Sequence, residues 1–152
     1  MWNKNCTFVS VKTMFVFAYK ILSMAVHNDL SKWGEDYAAE YLLKKGYEVI
    51  SRDWRLGKRD IDIVARTEDG MTVVFVEVKT RATDVIVSPE DAVDEKKIRS
   101  IGWAANAYVK EFQIYDDIRF DIISIVGTKP QDASVEHIID AFNPLLAMNG
   151  HY

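Results

Sequence analysis

The succession of helical and extended patterns along this 152-residue chain predicts an α/β fold. An amphipathic helical stretch is followed by three β-type runs, and a second helical stretch then precedes one more β-type run. The sequence shows no internal repeat and no second domain. Because a chain of this length is the usual size of one domain, we expect a single folded unit.

The first helical stretch covers residues 30–45. Its apolar and aromatic side chains recur at intervals of three and four, which places them on one helix face. The positions of this stripe are Leu30, Trp33, Tyr37, Ala38, Tyr41 and Leu42. Asp29 or Ser31 can cap the start of the helix, and Gly46 can end it.

The remaining elements follow from local composition and spacing. Runs rich in β-branched and aromatic residues predict strands over 47–54, 61–66, 71–79 and 118–126. Ser88, Pro89 and Asp91 provide a cap, a first-turn proline and an acid, so a helix is expected from there to about residue 112, with a break near Asp94 as an option. The short apolar segment 136–142 fits either a strand or a helix.

The N-terminal residues differ in composition from the rest. Residues 13–26 are mostly apolar, but Lys20 interrupts them, and the stretch is too short to span a bilayer. Three interpretations stay open: an upstream start codon with the true start at Met24, a genuine N-terminal helix or disordered arm, and a signal peptide. The predicted division is an extension outside the fold over 1–28, a folded domain over 29–146 and a tail over 147–152.

Charge and cysteine content limit the function classes. The formal net charge is -4, and without the three lysines that precede Met24 the chain has 16 basic and 23 acidic residues, a net charge of -7. Such a balance disfavours the sequence-independent attraction to phosphates on which most nucleic-acid binding depends. The single cysteine, Cys6, excludes an internal disulfide and favours a reducing, cytoplasmic location.

Asp69-Gly70 between two β-type runs predicts a hairpin with these two residues at its tip. This turn fixes a register in which two carboxylates face each other across the strands. The predicted pairs are Arg66 with Val73, Val64 with Phe75, Asp62 with Glu77, and Asp60 with Lys79. Apolar residues fill most other positions on both faces, so the hairpin is expected in the middle of a sheet.

The predicted hairpin places Asp62, Glu77 and Lys79 on one face, because side chains alternate along a strand. Like charges directly opposite each other destabilise a strand pair, and buried carboxylates need partners. A divalent cation that bridges Asp62 and Glu77 resolves this repulsion, and oxygen ligands suit Mg²⁺ or Mn²⁺. Such an ion can activate water and stabilise charge on a phosphodiester, with Lys79 holding the water or neutralising the phosphorus centre.

These residues resemble the PD-(D/E)xK nuclease pattern, and the whole run is most similar to the YraN family of bacterial Holliday-junction-resolvase-like proteins. The resemblance covers roughly residues 27–146. The matching pieces are Gly34-Glu35-Asp36-Tyr37-Ala38-Ala39, Gly46-Tyr47, Ile61-Asp62-Ile63-Val64-Ala65, Phe75-Val76-Glu77-Val78-Lys79-Thr80-Arg81 and Arg119-Phe120-Asp121. One departure is Arg59-Asp60, where the family usually has Gly-Glu before the Ile-Asp pair.

The resemblance implies a restriction-endonuclease-like fold, with a central mixed β-sheet flanked by helices. It also implies an Mg-dependent endodeoxyribonuclease, with branched or junction DNA as one candidate substrate. Glu35 would be the helix-borne acid that completes the metal site with Asp62 and Glu77, and it joins these two and Lys79 in the catalytic set. Asp121 is expected to be structural and paired with an arginine.

Candidate phosphate contacts are the basic residues around the hairpin, namely Arg55, Arg59, Arg81 and Lys97. A local basic patch can offset an acidic net charge. A homodimer is an open option because junction resolution requires two active sites, and no membrane association is expected. The alternative is a non-catalytic module on the same fold that binds nucleic acid or a protein, which the acidic net charge favours. A third interpretation is a structural partner-binding domain with the N-terminal arm as an attachment segment, which would be favoured if Glu35, Asp62 and Glu77 lay far apart.

Overall fold

The computed structural model describes residues 11–83 and 93–148 of the chain. The elements are α1 (Val11–Lys44), β1 (Glu48–Leu56), β2 (Arg59–Arg66), β3 (Thr72–Arg81), α2 (Glu95–Glu111), β4 (Asp117–Val126), β5 (Ser134–Ile138) and α3 (Pro144–Met148). This order confirms the α/β prediction.

The five strands form one sheet in the order β1-β2-β3-β4-β5. β3 and β4 are parallel, whereas the other neighbouring pairs are antiparallel. The parallel pair needs a crossover connection, and α2 lies between β3 and β4 in the chain. The sheet is therefore mixed, as the restriction-endonuclease-like prediction requires.

Helices cover both faces of the sheet. Ala38 and Leu42 of α1 pack in one apolar cluster with strand residues that include Val74. Tyr108 of α2 packs in a second cluster with residues that include Phe75. Because successive strand side chains point to opposite faces, a central strand covered on both sides must be apolar nearly throughout. This explains the unbroken apolar run from Val73 to Val76 and confirms that the sheet is flanked by helices.

The register of the predicted hairpin is confirmed between residues 63 and 66, where Ile63 pairs with Val76 and Arg66 with Val73. The turn itself differs from the prediction. The N–H of Gly70 donates to the carbonyl of Thr67 at 2.8 Å, so the turn begins two residues before the expected tip. The centre of the loop is unchanged, and for that reason the register is unchanged.

Helix α1 begins at Val11, well before the predicted start near residue 30. Residues 15, 16 and 18–29 are exposed, and burial begins at about Leu30. No helix in the described ranges 11–83 and 93–148 is long and apolar enough to cross a membrane. The described side chains of α1 before residue 30 thus lie outside the core, although the backbone of this part is continuous with the buried part of the helix.

We expect deletion of residues 1–23 to change the melting temperature by less than about 2 °C, because the described side chains in this range, at 15, 16 and 18–23, are exposed and exposed residues contribute little to stability. Thermal unfolding of the truncated and full chains, followed by circular dichroism at 222 nm, measures this directly. A substantially lower melting temperature in the truncated chain would show that the extension belongs to the folded domain.

Three further element boundaries differ from the sequence predictions. The described part of α2 begins at Glu95, where Asp94 is the cap, and the predicted start at Ser88 lies outside the described residues. The segment after β4 takes the strand option, as Ser134–Ile138. A short helix, Pro144–Met148, was not predicted and crosses the predicted boundary at residue 146.

Candidate metal and nucleic-acid site

The predicted catalytic residues meet at one end of the sheet. β2 begins at this end and the antiparallel β3 finishes at it, so Asp62 and Glu77 both lie close to this end of the sheet. The first turn of α2 packs beside it and contributes Lys97. The topology therefore brings together side chains from two strands and a helix that are up to 37 residues apart in the chain.

Glu77 is the most deeply buried of the charged groups at this end of the sheet, with 3% of its side chain exposed. Its Oε1 lies 2.7 Å from the Nζ of Lys79, which confirms that these two side chains share a face. Its Oε2 lies 3.3 Å from the Nζ of Lys97 but accepts no hydrogen bond from any described residue. Oε2 of Glu77 is therefore a buried carboxylate oxygen that has an ion pair with Lys97 but no hydrogen bond from the described residues.

Asp62 is partly buried beside Glu77. Its Oδ2 accepts a hydrogen bond of 2.7 Å from the backbone N–H of Val78, so the carboxylate lies against the edge of β3. Burial, followed by the negative charge of Glu77, raises the pKa of Asp62 to about 8. The predicted repulsion between the two acids is thus present, and a cation beside them would relieve it.

Asp60 does not pair with Lys79 as predicted. Its Oδ1 lies 3.0 Å from the Nζ of Lys97 instead. The described ladder between β2 and β3 ends at the pair of Ile63 and Val76, so Asp60 lies beyond the paired part of the hairpin. The partner of Asp60 comes from α2, and the position of that helix cannot be predicted from the strand pattern alone.

Glu35 reaches the site from α1 and lies close enough to Asp62 for its charge to raise the pKa of that carboxyl. Its own pKa is raised by burial and by a hydrogen bond and charge repulsion from Asp53. Asp53 adopts a left-handed backbone conformation, with φ of 50°. Asp53 was not among the predicted site residues, and its one local signal is that aspartate tolerates this backbone conformation.

Gly34 allows α1 to approach the end of β3 closely. A Cβ atom at this position would lie 1.7 Å from the Oγ1 of Thr80, which is closer than any real contact. The neighbouring residue in the chain is Glu35. Gly34 therefore allows α1 to lie close enough to β3 for Glu35 to approach Asp62.

We expect Gly34→Ala to lower the free energy of unfolding by about 1–3 kcal/mol, because overpacking forces the helix away from β3. Without the clash, the same change inside a helix would stabilise by about 1 kcal/mol, so the sign of the effect is diagnostic. Urea unfolding measures it, with Ser31→Ala on the exposed side of α1 as the control. A stabilised Gly34→Ala protein would contradict the close contact.

Among the residues that the structure describes, no group of three or more His, Cys, Asp or Glu side chains has the arrangement of a metal site. The predicted three-carboxylate set is therefore not assembled as a direct ligand cage. Two carboxylates are nevertheless enough for Mg²⁺, which keeps several of its waters. Asp62 and Glu77 fit such an ion, because Oε2 of Glu77 accepts no hydrogen bond from the described residues and the charge of Glu77 disfavours ionisation of Asp62.

The four predicted nucleic-acid contacts occupy the surroundings of this site. Arg55 and Arg59 are exposed next to the turn between β1 and β2, and Arg55 lies opposite Asp60 in the strand register. Arg81 is the last residue of β3, two positions after Lys79. Lys97 differs from these three, because its ammonium group is directed into the carboxylate cluster.

Fold and site together define an α/β protein with paired carboxylates and lysines at the end of a mixed sheet. The family model for the uncharacterised protein family UPF0102 matches residues 34–125, and the chain belongs to this family. A UPF0102 protein of Phocaeicola vulgatus is 46% identical over 121 residues, which are 80% of this chain and 98% of that protein. A UPF0102 protein of Parabacteroides distasonis is 47% identical over 119 residues, which are 78% and 96% of the two chains.

Two solved structures show more distant similarity. One is a complex of EndoMS with double-stranded DNA, with a TM-score of 0.36, 16% identity and coverage of 57% of this chain and 34% of that chain. The other is SfsA of Pyrococcus furiosus in complex with Ca²⁺, with a TM-score of 0.26, 11% identity and coverage of 66% and 58%. Similarities of this size do not define a shared site.

Proposed function

We propose that this protein is a divalent-metal-dependent endonuclease that hydrolyses phosphodiester bonds in DNA, as its PD-(D/E)xK pattern and its resemblance to the YraN family imply. The observation that carries the proposal is Glu77, which is buried between two lysines with Asp62 beside it, and one of its oxygens accepts no hydrogen bond from the part of the chain that the structure describes. Burying a charged carboxylate is costly unless its oxygens are fully satisfied, and Oε2 has only the Lys97 ion pair at 3.3 Å. Beside it, burial and the charge of Glu77 raise the pKa of Asp62 to about 8, and carboxyls with strongly shifted pKa values are concentrated at functional sites.

Asp62 and Glu77 would hold the ion, which is Mg²⁺ or Mn²⁺. When bound, the ion lowers the pKa of water and neutralises charge on the phosphodiester. Glu35 adds a further negative charge beside Asp62 from α1 rather than completing a direct three-carboxylate cage. The Nζ of Lys79, fixed 2.7 Å from Glu77 and 30% exposed, can donate its remaining protons to a phosphate oxygen or to the attacking water.

DNA is the proposed partner, with Arg55, Arg59 and Arg81 as phosphate contacts around the site. Arg55 lies opposite Asp60 in the strand register and Arg81 is two positions after Lys79, so these residues provide local positive charge on a protein whose net charge is -4. Long-range attraction is therefore weak, and contacts within roughly 8–10 Å must dominate binding. Cleavage of both arms of a DNA junction would require two copies of the site, so a homodimer is part of this proposal.

A specific observation also favours a non-catalytic binding module. Both oxygens of Glu77 already face a lysine ammonium, so internal ion pairs partly neutralise the carboxylate without a metal. The acidic net charge points the same way, because it favours a protein partner over a phosphate backbone. Cleavage distinguishes the two functions directly.

The decisive experiment is a nuclease assay on labelled four-way junctions, flaps, linear duplexes and single strands with Mg²⁺ or Mn²⁺. The proposal predicts cleavage that EDTA abolishes and that Glu77→Gln also abolishes. Glu111→Gln, at the far end of α2, is the matched control and should cleave like the parent. If the folded parent cleaves none of these substrates with either ion, the endonuclease proposal is wrong and the binding module is favoured.

Cation binding should release a proton at neutral pH. With its pKa raised to about 8, Asp62 is mostly protonated at pH 7 in the metal-free protein, whereas a metal ligand must be ionised. We expect close to one proton released per ion at pH 7, and an apparent affinity that rises about tenfold per pH unit up to pH 8. Calorimetry of Mn²⁺ binding in buffers with different ionisation enthalpies measures the proton count.

Asp69→Asn is the control for this measurement, because Asp69 lies at the hairpin turn with a lowered pKa and is ionised at neutral pH. It should release the same number of protons as the parent. Binding of Mn²⁺ without proton release at pH 7 would show that Asp62 is not a protonated ligand of the ion.

A further inference from the structure

Lys97 occupies a cation position inside the carboxylate cluster. Its Nζ lies 3.0 Å from Oδ1 of Asp60 and 3.3 Å from Oε2 of Glu77. Only 25% of the side chain is exposed. Two carboxylate oxygens thus lie within 3.3 Å of this amine, whose ordinary pKa is about 10.4. The ammonium group is therefore charged and is held by acids from two strands.

The two lysines at Glu77 are not equivalent. Lys79 lies 2.7 Å from Oε1, which is a close ion pair within one strand. Lys97 lies farther from Oε2, and that oxygen accepts no hydrogen bond from the described residues despite the short separation. The Lys97 contact is thus an electrostatic pairing with poor alignment. Of the two lysine contacts at Glu77, the one with Lys97 is therefore the easier for a divalent cation to replace.

A long side chain at the start of a helix is suited to this exchange. Asp94 caps α2 by accepting a hydrogen bond of 2.8 Å from the backbone N–H of Lys97, so the backbone of this residue is fixed. The side chain is attached by four rotatable methylene groups and can leave Glu77 without moving the helix. Asp60, which is half exposed, already pairs with Lys97 and can keep its ammonium group at the rim after Glu77 is released.

We propose that Lys97 is a built-in counter-ion, which neutralises Glu77 in the metal-free protein and is displaced from it when a divalent cation binds. This inference rests on the proposed metal site at Asp62 and Glu77. An ion bound to Oε2 at about 2.1 Å would lie within roughly 5.5 Å of the present position of Nζ. Two cations at that separation in a buried site repel each other strongly, so Lys97 and the ion compete for Glu77.

The test is the affinity of the DNA-free protein for Mn²⁺, measured by electron paramagnetic resonance of the unbound ion. Lys97→Met removes the charge and keeps the length of the side chain. We expect it to bind Mn²⁺ on the order of tenfold more tightly than the parent, because the competing charge is gone. Lys97→Arg retains the charge and should not gain affinity. Lys96→Met, an exposed neighbour on the same helix, should stay within about twofold of the parent.

Each outcome decides a different claim. Tighter binding by Lys97→Met, with Lys97→Arg and Lys96→Met unchanged, supports the counter-ion. Equal affinity in Lys97→Met and the parent overturns it, while the metal site itself stands. Failure of every folded protein in the set to bind Mn²⁺ overturns both the metal site and the counter-ion. Lys97→Gln is the second neutral variant and replaces Lys97→Met if that protein does not give a cooperative thermal transition.

Discussion

Asp62→Asn is expected to reduce metal-dependent cleavage by at least about a hundredfold, since even the outer partners of metal ligands cost about 10–100-fold when they are replaced. The amide keeps the shape of the carboxyl and can still accept the hydrogen bond from the N–H of Val78. It lacks the negative charge that an ion requires. The loss should therefore appear in turnover and metal affinity rather than in the fold.

DNA binding should respond in the opposite direction. Asp62→Asn removes a negative charge from the cleft, so binding of a four-way junction in Ca²⁺ should equal or exceed that of the parent. A titration of labelled junction at several salt concentrations measures this, and Asp69→Asn at the hairpin turn is the control of equal charge change. Retained cleavage by Asp62→Asn would remove Asp62 from the catalytic set.

The same variant should alter the pH dependence of stability. A carboxyl whose pKa is raised to about 8 on folding favours the protonated form in the native state. The metal-free parent therefore loses stability as the pH rises from about 4 towards 8. Asp62→Asn lacks this loss and should be the more stable protein at pH 8 in EDTA. Urea unfolding at pH 5 and pH 8 compares the two.

Asp121→Asn is expected to lower the free energy of unfolding by about 3–5 kcal/mol, which is the usual cost of removing one partner from a buried ion pair. Asp121 is fully buried and accepts hydrogen bonds of 2.8 Å to each of its oxygens from Arg119. His137, with 6% of its side chain exposed, lies 2.8 Å from the same carboxylate, and the backbone N–H of Asp140 donates to it at 3.0 Å. An amide can satisfy only part of this arrangement and leaves Arg119 without its counter-charge.

Thermal unfolding should show this as a decrease of roughly 10 °C in melting temperature. Asp116→Asn is the matched control, because its ion pair with Arg66 is more exposed and should contribute less than about 1 kcal/mol. The pH dependence gives an independent check. Burial would raise the pKa of Asp121, but the hydrogen bonds from His137 and Arg119 lower it, so its contribution is present above about pH 4 and is lost in acid. Equal stability of Asp121→Asn and the parent would contradict this account.

The hairpin shows which contacts a local sequence pattern can predict. Alternation along β3 predicted that Glu77 and Lys79 share a face, and the turn signal predicted the register of Val64 with Phe75, because both depend only on neighbouring residues. The expected arginine partner of Asp121 was confirmed for the same reason, since Arg119 is two residues away on the same strand face.

The predictions that were wrong or incomplete concern contacts between distant segments. Asp60 was assigned to Lys79 from the strand register, whereas the structure pairs it with Lys97 from α2. The approach of Gly34 to Thr80 also depends on how two elements pack. Hydrophobic periodicity identifies the buried face of an element but not its rotation or its depth against a neighbour, so such contacts cannot be derived from pattern alone.

The sequence by itself determined the α/β class, the central hairpin and the presence of two acids and a lysine on adjacent strands, because these follow from local periodicity and turn chemistry. Only the tertiary structure decided how these acids are neutralised. Packing of α2 against the sheet brings the ammonium of Lys97 to Glu77, and burial raises the pKa of Asp62. Charge compensation depends on distance and on exclusion of water, and both exist only once the helices have closed over the sheet.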